Sequence, residues 1–298
     1  MKQTKRLTKM AGALLLALLM ALTTVFAASC KKNSEFDNTK NISVVAREDG
    51  SGTKSAFMEL LGLKGKKDVS GVIVASGTAA VLAEVRSNPL AIAYESLGYV
   101  TSDVKKLKVD GVEATVENIK NGSYKISRPL QVVYQPEKEE DVLCAAYLAF
   151  LKSDTAQSMI KEQGYIALID NAEKYTVNAE LSGTINISGS TSLQPLMVEL
   201  AKKFHTLQPN VEVIVQGGGS GVGYTNASNK VSDFGMISET FKEEKAPGCK
   251  VYEVAKDGIA MIVNPANPIE NISLDTLKNI YNVDAGDAAV KTWADAEK

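Results

Sequence analysis

The chain has 298 residues, of which 45% are hydrophobic and 23% charged, and its formal net charge is −2. This length suffices for two modest domains, each with its own apolar core. The lack of a net positive charge argues against nucleic-acid binding, which normally requires a basic face.

The first 29 residues have the pattern of a bacterial signal peptide. Four basic residues precede an apolar run over 10–26, which is short for a membrane span. We therefore predict a signal peptide over 1–29 that is absent from the mature protein. Its removal changes the formal net charge to about −6, so the mature chain is mildly acidic.

The end of this segment resembles a lipobox, in which a Cys is acylated after cleavage. Residues 27–30 read Ala-Ala-Ser-Cys, and 30–40 is polar and aperiodic. We predict lipidation at Cys30, a tether over 30–40 and a location at the cell membrane, on its extracytoplasmic face. Ordinary signal cleavage near Ala27 or Ala28 is the alternative.

Strand-like and helix-like segments alternate along the rest of the chain, which indicates an α/β fold. A strand is expected over 42–46, then the loop Arg-Glu-Asp-Gly-Ser-Gly-Thr over 47–53, then a helix over 54–61. The polar stretch 170–183 is the best candidate linker. Further elements are expected in the first half: strands at 72–75, 91–94 and 130–134, and helices at 78–86, 137–151 and 155–163.

The second half repeats the succession of strand, small polar loop and helix. A strand over 185–188 precedes Gly-Ser-Thr-Ser over 189–192 and a helix that ends near His205. A strand over 211–215 precedes the Gly-rich loop 216–223. Three elements are expected after it: strands at 234–237 and 259–263, and a helix at 274–281.

These three loops share the chemistry of an anion site. A strand that turns through small residues into a helix exposes several backbone N–H groups at the positive end of the helix dipole. Any one loop alone is more often an ordinary helix cap or turn. Arg47 alone would more often form a surface ion pair. Their combination favours oxyanion binding.

No motif for catalysis, a cofactor or a metal is found. The Gly-rich loop lacks the Gly-Lys-Ser/Thr ending of a phosphate loop, and no Gly-x-Ser-x-Gly nucleophile motif occurs. His205 is the only His and lies at a helix end, where a solvated side chain is expected. Cys144 and Cys249 are expected to be free thiols, with a disulfide as the alternative.

The combined motifs resemble the periplasmic phosphate-binding protein family, the solute receptors of phosphate ABC transporters. The resemblance implies a two-lobed, type II periplasmic-binding-protein-like α/β fold. Each lobe would be a mixed sheet flanked by helices, and the ligand cleft would lie between the lobes. The matching stretches are 42–53, 189–195, 217–221 and 233–236, with support from 112–129 and 256–260.

The two halves stand in the reverse of the usual family order, which suggests a circular permutation. The resemblance then implies a continuous lobe over 124–267 that carries Gly189–Ser192. The lobe carrying Arg47 would be discontinuous, from 41–123 plus 268–298. A piece of a longer tandem of receptor units is the alternative.

The resemblance also implies the ligand set. Asp49 would orient Arg47 by pairing with it. Some family members have an Asp, which can accept a phosphate proton, at the position of Ser238, and here Glu239 follows. The implied phosphate-binding residues come from both lobes: Arg47, Ser51, Gly52, Thr53, Thr191, Ser192, Ser220 and Ser238.

The resulting expectation is a non-enzymatic, monomeric receptor that binds inorganic phosphate and delivers it to an ABC permease, with no cofactor. A secreted hydrolase or transferase that uses the loops as an oxyanion hole is one alternative. A phosphate sensor or adhesin that does not take part in transport is the other.

Overall fold

The computed structural model of the protein describes residues 36–297. The expected signal peptide over 1–29, the lipidation site Cys30 and the first half of the tether lie outside the described residues. Within 36–297, no helix combines the length and the apolar character that crossing a bilayer requires.

The alternation of strands and helices is confirmed, so the fold is α/β. The strands are β1 (Ser43–Arg47), β2 (Ile73–Ala75), β3 (Ala91–Ser96), β4 (Lys105–Lys106), β5 (Lys108–Val109), β6 (Ser127–Tyr134), β7 (Gly183–Gly189), β8 (Val211–Gly217), β9 (Phe234–Ile237), β10 (Lys250–Val263) and β11 (Asn271–Ile272). The helices are α1 (Gly52–Leu60), α2 (Thr78–Ser87), α3 (Val116–Lys120), α4 (Val142–Lys152), α5 (Asp154–Glu162), α6 (Gln194–Leu207), α7 (Ser220–Ser228), α8 (Leu274–Tyr281) and α9 (Trp293–Ala296).

One long strand, β10, joins two groups of strands. The order across the main sheet is β2-β1-β3-β10-β6-β9-β7-β8, with β4 on the side of β10. Residues 259–263 of β10 pair with β3, whereas 250–258 pair with β6. We call β2, β1 and β3 the Arg47 half, and β6, β9, β7 and β8 the Ser192 half. The segment 259–263, expected as a strand by itself, is therefore the second part of β10.

Each half has a parallel core. Strand β1 is parallel to both β2 and β3, and β7 is parallel to both β8 and β9. A parallel strand must be followed by a crossover, and here the crossovers contain helices. The carboxyl ends of β1 and β7 therefore lead into α1 and α6, which places the expected loops at the ends of the strands.

The two halves have separate aromatic packing. In the Ser192 half, Tyr147 and Phe204 are fully buried and lie 5.0 Å apart between ring centroids. In the Arg47 half, Phe57 stacks on Tyr94 at 4.0 Å, and Tyr281 packs edge-on against Phe57 at 4.9 Å. The first strand, β1, is thus covered by a helix formed more than two hundred residues later, α8.

The chain near residue 42 lies beside the chain near residue 292. Asn41 forms an isolated antiparallel bridge with Thr292, and Ile42 N donates to Lys291 O at 2.8 Å. The Trp293 indole is fully buried, and its Nε1 donates to Leu90 O at 3.1 Å. Residues 291–293 are therefore an integral part of the Arg47 half.

The cysteines and the single His agree with the expectations. Cys144 and Cys249 are both buried free thiols. Burial raises the pKa of the Cys144 thiol to about 12, so this thiol stays protonated and inert. His205 is exposed near the end of α6, with its Nδ1 2.7 Å from Val211 O.

Trp293→Ala should destabilise the protein by about 3–5 kcal/mol, because a fully buried indole is replaced by a cavity. Urea unfolding of the variant and the unchanged protein measures this difference. The matched control is Val283→Ala, because Val283 lies in the same C-terminal region with a half-exposed side chain. Equal losses for the two variants would show that residues 291–293 do not stabilise the Arg47 half.

Candidate functional site

Four helices begin at the line where the two halves meet. Ser51 caps α1, since its Oγ accepts from Lys54 N at 3.3 Å. Ser190 Oγ accepts from the N–H groups of Ser192 and Leu193 at 3.2 Å, in the turn before α6. Helices α2 and α7 begin after glycines, at Thr78 and Ser220 respectively. Four positive dipole ends therefore surround one place.

The Arg47 guanidinium lies at the centre of this place and is 1% exposed. Its Nε and Nη2 each donate to Glu48 at 2.9 Å, which forms a bidentate pair. Nη2 also donates to Thr191 Oγ1 at 3.0 Å, across to the Ser192 half. Burial disfavours the charged form of Arg47, but the hydrogen bonds to Glu48 and the charge of Glu95 hold its pKa above the usual value.

The expected pairing of Arg47 with Asp49 does not occur. The Asp49 side chain is fully exposed and binds Lys54 Nζ at 2.9 Å. Glu48 takes the place beside Arg47 because Gly77 N, at the start of α2, donates to its Oε2 at 3.1 Å. Burial alone would raise the pKa of Glu48, but the hydrogen bonds from Arg47 and Gly77 lower it.

Hydroxyl groups from both halves form a connected cluster next to Arg47. Thr53 Oγ1 and Ser192 Oγ are 2.8 Å apart. Thr78 Oγ1 lies 3.3 Å from Thr191 Oγ1 and 3.4 Å from Ser192 Oγ. These four side chains can each donate one hydrogen bond to a shared acceptor. Thr78 was missed in the sequence, since a Thr at a helix start is an ordinary residue.

Gly52 allows the two halves to approach closely. A Cβ at this position would lie 2.2 Å from Ser220 Oγ and 2.8 Å from Ser238 Oγ. Ser220 Oγ accepts from Ser238 N at 3.0 Å, and Gly221 N donates to Gly50 O at 2.9 Å. The structure therefore brings the expected residues Gly52, Ser220 and Ser238 together, beside Thr53 and Ser192.

Glu95 is a further charged group of the site that the sequence did not reveal. It is the penultimate residue of β3, its carboxylate is fully buried, and its Oε2 lies 3.5 Å from Arg47 Nη1. Its Oε1 accepts from Ser96 N at 2.8 Å. Burial raises the pKa of Glu95, and the charge of Arg47 only partly opposes this. A lone acidic residue at the end of an otherwise apolar strand was the available signal.

Glu239 lies at the edge of the cleft and not among the hydroxyls. Its carboxylate is 2% exposed and accepts from Lys242 Nζ at 2.8 Å and Lys245 Nζ at 2.7 Å. The Ser55 hydroxyl of α1 donates to the same carboxylate. Lys242 Nζ also lies 3.3 Å from Glu59 of α1. This cluster, the cleft-edge ion pairs, connects the loop after β9 with α1.

Comparison with known proteins places this geometry in a family. The sequence model of the PBP superfamily domain matches residues 20–155 and 176–298. The chain is similar to the phosphate-binding protein PstS 2 of Streptococcus agalactiae, with 36% identity over 280 residues, which is 91% of this chain and 93% of the relative. It is also similar to the phosphate-binding protein PstS of Bacillus subtilis, with 35% identity over 127 residues, or 41% of this chain and 40% of the relative.

A solved structure gives the same result. The crystal structure of a phosphate ABC transporter, phosphate-binding protein from Streptococcus pneumoniae superposes with a TM-score of 0.68 at 30% identity, and covers 86% of this chain and 99% of that chain. The expected periplasmic-binding-protein-like fold is therefore confirmed. The chain belongs to the PBP superfamily and, within it, to the family of phosphate-binding proteins.

Proposed function

We propose that this protein is an extracytoplasmic receptor that binds inorganic phosphate and delivers it, chemically unchanged, to an ABC permease. The observation that carries the proposal is the buried Arg47 among the hydroxyls of Thr53, Thr78, Thr191 and Ser192. Membership of the family of phosphate-binding proteins supports the same ligand.

The donors suit a tetrahedral oxyanion taken out of water. A buried anion is stable only when its oxygens accept hydrogen bonds and its charge is compensated. Arg47 supplies a guanidinium, and the starts of α1, α6 and α7 supply N–H groups. The hydroxyls of Thr53 and Ser192 bond to each other across the halves. An oxyanion between them would accept from both and would replace this bond.

Among residues 36–297, no imidazole lies beside the hydroxyls of the site. The only His of the chain, His205, lies at the far end of α6 and contacts Val211 O. The serines of the site contact hydroxyls, Glu95 and backbone N–H groups, and none contacts an imidazole. A nucleophilic Ser is usually activated by an adjacent imidazole, so binding without chemistry fits better than a hydrolase or transferase.

The two halves support a division into two lobes with the cleft between them. We propose that the Ser192 half belongs to the continuous lobe and the Arg47 half, with residues 268–298, to the discontinuous one. The pairing of β10 passes from β6 to β3 after Gly258. The boundary of the continuous lobe would accordingly lie near residue 258, earlier than the 267 implied by the resemblance.

The circular permutation is part of this proposal. The relative from S. agalactiae aligns over nearly its whole length, so it shares this order of halves, whereas the B. subtilis relative aligns over 40% of its length. A permuted relative aligns continuously over only one half. In the usual family order, the segment that corresponds to the end of this chain would run on into the segment near residue 41. The contact of Asn41 with Thr292 keeps these two segments adjacent in space. These observations favour a permuted receptor over a tandem fragment.

We also propose that Cys30 carries a lipid anchor and that the receptor is a monomer. The tether over 30–40 would allow the anchored receptor to reach its permease. Cys30 follows small residues as in a lipobox, and 30–40 is polar. Metabolic labelling with a fatty acid tests this, with Cys30→Ser as the comparison. Equal labelling of both proteins contradicts the lipid anchor.

Phosphate should stabilise the protein and close its cleft, because donors on both halves act together only in the closed form. The expected stabilisation is about 3 kcal/mol when free phosphate is about a hundredfold above the Kd. The Tm of ligand-free protein, measured with and without millimolar phosphate, reports it, with chloride at equal ionic strength as the control. An unchanged Tm would overturn the receptor proposal.

Arg47→Ala should weaken phosphate binding about a hundredfold, or roughly 2–4 kcal/mol, because the guanidinium that contacts the hydroxyl cluster is lost. Arg47→Lys should recover only part of this, since an ammonium cannot reproduce the planar fork. Calorimetric titration measures both. Arg86→Ala is the matched control, because Arg86 is partly exposed and pairs with Asp103 on the surface. Equal affinities of Arg47→Ala and Arg86→Ala would exclude Arg47 from the site.

A further inference from the structure

The site contains more negative than positive side chains beside the hydroxyl cluster, which disfavours the binding of an anion. Arg47 faces two carboxylates, Glu48 in a bidentate pair and Glu95 at 3.5 Å. Glu48 already neutralises the guanidinium. An ionised Glu95 would therefore give the buried cluster a net negative charge before any oxyanion arrives, which opposes binding of that oxyanion.

No neighbouring group removes this excess charge. Arg128 of β6 acts on Glu95 from a distance, but it is held in a buried pair with Asp257 of β10, at 3.2 Å. Arg128 Nη1 donates further to Ser238 O at 3.0 Å. Within 36–297, the remaining titratable groups that face Glu95 are two buried phenols, which are neutral: Tyr94 and Tyr165.

The two oxygens of the Glu95 carboxylate have different surroundings. Oε1 has three donors, namely Ser96 N at 2.8 Å and the hydroxyls of Thr78 and Ser192 at 3.4 Å each. Oε2 is buried and lies 3.5 Å from Arg47 Nη1, but it accepts no hydrogen bond. An oxygen that already accepts several hydrogen bonds is a poor site for a proton, so a proton on this carboxyl group belongs on Oε2.

We propose that Glu95 couples oxyanion capture to the uptake of one proton, which Oε2 carries and shares with an oxygen of the bound anion. This inference rests on the proposed phosphate site. An ionised carboxylate and an oxyanion present only acceptors to each other, whereas one proton between them makes a charge-assisted hydrogen bond. The proton comes from the solvent, and no other bond forms or breaks.

The sign of the pH dependence follows from this coupling. Burial already raises the pKa of Glu95 above its usual value. The bound anion stabilises the protonated form of Glu95, so binding raises this pKa further. A group whose pKa rises on binding takes up a proton, and affinity then falls as pH increases through the interval between the two pKa values. Within this interval, the affinity of the unchanged protein should fall by up to about tenfold more per pH unit than the affinity of a variant without this carboxyl group.

Glu239 provides the matched control. It is as buried as Glu95, but both of its oxygens accept hydrogen bonds, from Lys245 on one and from Lys242 and Ser55 on the other. Its carboxylate is therefore paired with two lysines. Glu239→Gln removes one carboxylate near the cleft, as Glu95→Gln does, but leaves the proposed proton carrier in place.

Calorimetric titration with inorganic phosphate, repeated in buffers of different ionisation enthalpy, counts the protons taken up per anion bound. The number of protons taken up per phosphate bound is measured between about pH 6 and about pH 9. At the pH where this uptake is largest, the unchanged protein and Glu239→Gln should each take up about one proton more than Glu95→Gln. Equal uptake by all three across this range would overturn the inference alone. Absence of phosphate binding by the unchanged protein would overturn the proposed function and the inference together.

A second measurement does not depend on the folding of Glu95→Gln. Infrared difference spectra of the unchanged protein, with and without phosphate above the pKa of ligand-free Glu95, should show a new carboxylic acid C=O band that shifts in deuterium oxide. Glu239→Gln should show the same band. A spectrum without this band contradicts the proton on Glu95, even where phosphate binds.

Discussion

The buried bidentate pair of Arg47 with Glu48 is the interaction on which the site depends. A guanidinium at 1% exposure is tolerated only because Glu48 compensates its charge in a fixed planar geometry. Glu48 is itself held by Gly77 N at the start of α2. Nη2 of Arg47 thereby also points to Thr191, so one pair fixes a contact between the two halves.

The sheet imposes the second constraint. Because β10 pairs first with β6 and then with β3, the two halves share one uninterrupted backbone segment near Gly258. An added Cβ at Gly258 would lie 2.4 Å from Ile119 Cδ1, so α3 packs tightly at this position. A movement of one half relative to the other must therefore twist β10 near its middle. The cleft-edge ion pairs are a second connection between the halves, since they join the loop after β9 to α1.

The sequence predicted the elements and loops well, because their signals are local. Helix α8 has the predicted bounds, and the three loops lie at the ends of strands, before helices. Local patterns cannot decide which of two adjacent carboxylates meets Arg47. That choice depends on Gly77, thirty residues away, and it put Glu48 and not Asp49 in the site.

Glu95 was missed for a similar reason. In a strand, the direction of a side chain follows from the alternation of faces, but β3 is buried on both faces, so alternation gives no signal there. The position of Glu239 could not be predicted either. Its surroundings come from α1, whose Ser55 precedes it by 184 residues. Side-chain geometry in this site is set by long-range contacts that a sequence pattern does not contain.

The contact between residues 41–42 and 291–292 has a consequence for folding during synthesis. Strands β6, β7, β8 and β9 and the first part of β10 lie within 127–258, so the Ser192 half can assemble once that stretch has emerged. Strand β1 emerges far earlier, but Tyr281 and Trp293, which cover the Arg47 half, emerge last. The Arg47 half, whose first strand is made first, is thus completed after the Ser192 half, and part of its apolar surface stays uncovered until then.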